Sequence, residues 1–170
     1  MATTVSVSRG APPPLAADRY ERILAYAAAM LLAVVLVAIA RGHAEWPRVP
    51  PLVWAHLLTI LVALALTPVM LLGRRGDRRH RQLGTIWVVA MMLTALLSFG
   101  IRQTNHGAFS AIHLLSAFTL VQVPLLWWSA RTHRVARHRG AVRAMVTGAL
   151  LIAGVFTFPF GRMLGHWLFG

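Results

Sequence analysis

Apolar residues fall into five long runs, and polar residues are largely confined to the short stretches between them. Ile23 to Ala40 carries no charge across 18 residues. Leu52 to Leu72 is broken by His56 and Pro68, Leu83 to Ile101 follows, Phe109 to Ala130 ends in Trp127-Trp128, and Ala141 to Phe160 has Arg143 in its first turn. At about 1.5 Å per residue each run is long enough to cross a bilayer as a helix. The pattern predicts an all-α integral membrane protein with five transmembrane helices. Residues 1–22, with Ala-Pro-Pro-Pro and no apolar period, are expected to be a disordered cytoplasmic tail. Residues 161–170 are expected to be a short interfacial segment. Ala38-Ile39-Ala40 resembles a signal-peptidase site, but the run is longer than a signal core and begins after 22 residues that include two acids, so an anchored first helix is expected.

Runs two to five read as one hairpin written twice. His56, Pro68, Arg74 and His80-Arg81 correspond to His113, Pro124, Arg131 and His138-Arg139, with gaps of 12, 6 and 6 residues in the first copy and 11, 7 and 7 in the second. The repeat predicts a four-helix bundle over residues 52–160, with the helix over 23–40 peripheral to it. Corresponding helices would face each other diagonally. His56 and His113 then share one depth, His80 and His138 another, roughly 20–25 Å apart. Helical phase places Gly84, Trp87, Met91, Thr94, Ser98 and Arg102 on the face of His80. It places Ala63, Thr67 and Arg74 with His56, and Ala117, Leu120 and Pro124 with His113.

Composition sharpens this picture. Hydrophobic residues make up 58% of the chain, and the net charge is +13, from 17 basic residues, all arginine, against four acids. The arginines sit in clusters between apolar runs, which argues for membrane orientation rather than nucleic-acid binding. They concentrate before the first run, between the second and third, and after the fourth, so the amino terminus is expected in the cytoplasm and the carboxyl terminus outside. With no cysteine, disulfides, thiol catalysis, iron–sulfur ligation and c-type haem attachment are excluded. No acid lies within a run, which argues against carboxylate-driven transport, and no hydrolase or nucleotide motif is present.

The histidines carry the candidate chemistry. His56 and His113 are the titratable groups well inside apolar runs, where such groups are costly and usually functional. Two opposed histidines at each of two depths suit two b-type haems with histidine on both axial sides, His56 with His113 and His80 with His138. Arg74, Arg81 and Arg139 on the inner side, and Arg41 and Arg102 on the outer, are candidates to meet haem propionates. The competing reading makes His80 and His138 interfacial helix caps and His56 and His113 hydrogen-bonded packing residues. One zinc ion cannot bridge the two levels.

His80-Arg81-Gln82-Leu83-Gly84, Phe109 to Ser116 with His113, His138-Arg139 with Arg143, and Gly161-Arg162-Met163 through Gly170 resemble the bacterial predicted membrane proteins grouped as domain of unknown function 2306. Val142 stands where that pattern has methionine. The resemblance covers about residues 52–170 and implies a multi-pass protein of the bacterial inner membrane. The order of histidines on four successive helices is also similar to cytochrome b561-type di-haem proteins, which implies the same two pairs and electron transfer across the membrane. The expected function is transmembrane electron transfer through two bis-histidine haems, with quinol as a candidate donor and the lipid bilayer as surroundings. The alternative is a haem-free assembly, lipid-binding or transport accessory subunit.

Overall fold

The computed structural model describes residues 16–101, 111–159 and 161–170, excepting the side chains of residues 111 and 112. Helix α1 spans Arg19–Arg41. A tight 3-10 turn over Gly42–Arg48 leads to α2, Pro51–Leu72, which opens on a proline whose missing N–H needs no partner there. Helix α3 is Arg78–Ser98 and α4 is Ala111–Arg131. Helix α5, Val135–Met145, runs into a π-helical stretch over Val146–Ile152 and a short helical turn, α6, at Ala153–Val155. Helix α7, Met163–Phe169, ends the chain. Among the described residues there is no strand.

Among the described residues, three helical stretches, Arg19–Arg48, Pro51–Leu72 and Arg78–Ser98, are long and apolar enough to cross a membrane. Pro68 and Pro124 both lie inside helices, as the repeat places them. The two turns of the repeat are also alike: each contains a residue in the left-handed region, Gly76 at φ 80° and His133 at φ 55°.

Each helix packs on its neighbours in the chain, α1 on α2, α2 on α3, α3 on α4 and α4 on α5. The circuit closes because α1 also packs on the π-helical stretch and on α7. Helix α1 is therefore not peripheral, as the repeat alone predicts, but stands in the ring. Two causes are visible. Leu24, Ala25, Ala28, Leu31, Val35 and Ala38 form one buried stripe at helical spacing, and the alanines permit close approach. Glu21, buried at 1% exposure, takes up arginines from two other parts of the chain.

The tail boundary moves as well. Asp18 caps α1 by accepting from the Glu21 backbone N–H at 3.0 Å, while the Glu21 carboxylate accepts from the Asp18 N–H at 3.1 Å. This reciprocal capping box satisfies two orphan donors and starts the helix at Arg19, so residues 19–22 belong to α1.

On α3 the predicted inward face holds: Trp87, Met91, Thr94 and Ser98 are buried. Its polar members tie the ring together. Trp87 Nε1 donates to Thr67 Oγ1 of α2 at 3.0 Å, Thr94 Oγ1 donates to Thr59 of α2 at 2.8 Å, and Ser98 shares a short hydrogen bond with Ser116 of α4. On α4 the inward face is His113, Ser116, Thr119, Val123 and Leu126, whereas Ala117 and Pro124 are exposed. The phase read from His113 follows spacings of four and seven. The helix instead steps by three and three, then four and three, which turns Ala117 and Pro124 outward.

Candidate cofactor cavity

A cavity of about 600 Å³ opens where α2 and α4 end and α3 and α5 begin. Leu71, Trp87, Leu126 and Val146 form apolar walls, and His80 and His138 both line it. The repeat's inner pair is thus brought to one space. Asp77 fixes the start of α3 by accepting from the His80 backbone N–H at 2.7 Å, which sets the His80 side chain in the first turn of the helix. The His80 Nδ1 is buried and has no hydrogen-bond partner among the described residues.

His138 is oriented across the α4–α5 boundary. Its Nδ1 lies 3.2 Å from the Leu126 carbonyl, which can only accept, so Nδ1 carries the proton. Burial holds the imidazole below the usual histidine range, and the charge of Arg75 adds to this against the Leu126 bond. A neutral ring with Nδ1 protonated leaves a lone pair on Nε2, the arrangement that a backbone carbonyl commonly enforces on a metal-ligating histidine.

The outer pair is held differently. His56 Nδ1 lies 3.1 Å from the Thr94 carbonyl of α3, again leaving Nε2 with the lone pair in the neutral ring. His113 is buried at 4% exposure, with its ring 5.8 Å from that of Phe99. Thr94 and the Ser98 that meets Ser116 are one helical turn apart on the buried stripe of α3. His56 and His113 therefore sit at the same depth within about one turn, roughly 6 Å. They flank α3 from the two helices on either side of it, α2 and α4. The large cavity is not lined by either.

No family model, no curated protein and no solved structure matches this chain.

The arginines divide in a way the repeat does not foresee. Arg81 lines the cavity and donates to the Gly76 carbonyl at 3.0 Å. Arg139 also lines it, but its guanidinium is engaged with Glu21, Nε to Oε1 at 2.5 Å and Nη2 to Oε2 at 2.7 Å. Arg74 is exposed and lines a smaller cavity of about 140 Å³ with Asp77 and Arg79. Its neighbour Arg75 reaches the large cavity instead and donates to Glu21 Oε2 at 2.6 Å. Arg102 lies outside the described residues.

Sequence reasoning missed Glu21, Arg75 and Arg143. Arg143 pairs with Glu21 at 3.1 Å and also with Asp18. A signal existed: Asp18-x-x-Glu21 has capping-box spacing, and a carboxylate among so many arginines is bound to attract them. Among the described residues no three histidine, aspartate or glutamate side chains converge on one point as a bare metal ion needs. Three histidines, His80, His133 and His138, line the apolar-walled cavity. Of these, His138 has its tautomer set by the Leu126 carbonyl and His80 has a buried ring nitrogen without a hydrogen-bond partner among the described residues, features that a flat apolar cofactor could use.

Proposed function

We propose that this protein is a membrane electron-transfer protein of the b-type di-haem kind, with an inner haem between His80 and His138 and an outer one between His56 and His113. The observation that carries the reading is that His80 and His138, from opposite copies of the repeat, line one apolar cavity. Haem held there would supply one-electron chemistry; the chain supplies axial imidazoles, burial and arginine charge. His138 and His56 keep their rings oriented through the Leu126 and Thr94 carbonyls. The reading includes five spans, a bacterial inner membrane, a cytoplasmic amino terminus beside the inner site, and quinol as candidate donor. The three long apolar helices and the arginine-rich turns at the Glu21 end support it.

A second reading, a haem-free binding or assembly subunit, is favoured by one fact: the cavity does not reach His56 or His113. The two readings separate on a spectrum. Protein purified from cells supplied with haem precursor should show a Soret band and dithionite-reduced α and β bands. His80→Ala should remove one haem and His56→Ala the other. Colourless protein would sink the cytochrome reading, and retention of both haems in either variant would break the pairing.

A further inference from the structure

We infer that the large cavity takes an amphiphile carrying its acid groups at one edge, and that Arg78, Arg81 and Arg131 hold that edge. This uses the cavity of the cytochrome reading but not its iron.

Charge accounting leads to it. One carboxylate, Glu21, lines the cavity, against five arginines, at positions 75, 78, 81, 131 and 139. Glu21 is already committed to Arg75 and Arg139, and to Arg143 outside the cavity. Among the described residues, Arg78, Arg81 and Arg131 have no carboxylate in ion-pair range. Arg81 has one nitrogen on the Gly76 carbonyl, and the Arg131 guanidinium lies 4.4 Å over the Trp127 ring. Neither contact neutralises a charge. All three are exposed, as on an ordinary cationic surface. Here they rim a space walled by Leu71, Trp87, Leu126 and Val146. An apolar body with carboxylate or phosphate at one end satisfies both halves, and guanidinium forks suit either group. A porphyrin with propionates and an anionic phospholipid share this chemistry.

The test uses the full chain in neutral detergent. Metal-free protoporphyrin IX and its dimethyl ester are titrated by porphyrin emission, and retention of phosphatidylglycerol and phosphatidylcholine is compared by native mass spectrometry. An acid-bearing member of at least one pair should bind at least tenfold better than its uncharged or zwitterionic counterpart. The double variant R81Q/R131Q should erase the preference, R81K/R131K should keep it, and R74Q should leave it intact. Unchanged circular dichroism in these variants excludes misfolding as the cause. Preference for phosphatidylglycerol without porphyrin binding would identify a lipid source and remove the haem at this site while leaving the acid-edge inference standing. An iron porphyrin that binds with a bis-histidine spectrum, while diacid and diester bind equally and neither lipid is preferred, would do the reverse. No acid preference in either arm, or a preference that survives R81Q/R131Q, overturns the inference.

Discussion

Glu21 and Arg139, 118 positions apart, meet side-on: Nε lies 2.5 Å from Oε1 and Nη2 lies 2.7 Å from Oε2. Arg75 and Arg143 complete the set, so one carboxylate on α1 gathers guanidinium groups from the turn before α3 and from α5. Removing one member of a buried ion pair leaves the others desolvated and uncompensated, at a typical cost of about 3–5 kcal/mol. Glu21→Gln should therefore lower stability by that order, read as a large drop in thermal midpoint in detergent. A Glu21→Gln protein as stable as the parent would show that α1 is held by its alanine stripe alone.

Gly42 is seated against Trp167. A Cβ at position 42 would lie 2.1 Å from Trp167 Cδ2, and the indole is also tied to the same turn by its Nε1 donating to Glu45 Oε2 at 3.1 Å. Gly42→Ala should therefore push α7 off the end of α1, at about 1–3 kcal/mol for an overpacked contact. Protease nicking near the carboxyl terminus should rise. Unchanged nicking would mean that Trp167 finds another seat without releasing α7.

His133 turns the chain between α4 and α5 at φ 55°, a conformation that costs a side-chain-bearing residue energy and costs glycine none. His133→Gly should raise stability by about 0.5–1 kcal/mol, the strain relieved being partly offset by the glycine's greater freedom when unfolded. A lowered midpoint would show that the imidazole contributes a contact worth more than the strain.

Because burial depresses the His138 pKa, the unfolded chain binds a proton at this position before the folded one does. Stability then rises with pH through this window. It is lost as pH falls below the unfolded value of about 6.5, until the folded group also protonates. Thermal midpoints measured from pH 8 to pH 5 should fall, and His138→Gln should fall less steeply. Parallel profiles for the two proteins would assign the acid sensitivity to other groups, His80 first among them.

The periodic features of this protein are local, and those are legible from residue order. Apolar runs define the helices, and the two prolines and two arginine turns mark the repeat. The phase of α3 alone predicts the burial of Trp87, Met91, Thr94 and Ser98, because one helix turning about 100° per residue needs no partner to say which residues share a face. That His80 and His138 belong at one level also follows from the repeat, since each lies at the start of a helix that sets out from the same end of the bundle.

The place of α1, the choice of arginines that pair with Glu21 and the existence of the cavity were settled only by tertiary packing. Arg74 and Arg75 are adjacent in a turn, and which of them faces the ring depends on how that turn leaves α2: the repeat marks Arg74, while the packing turns Arg75 to Glu21. Glu21 looks like one more tail residue until three arginines from distant segments close around it. A cavity is a volume left between α2, α3, α4 and α5, and no periodicity within one helix encodes the space between four.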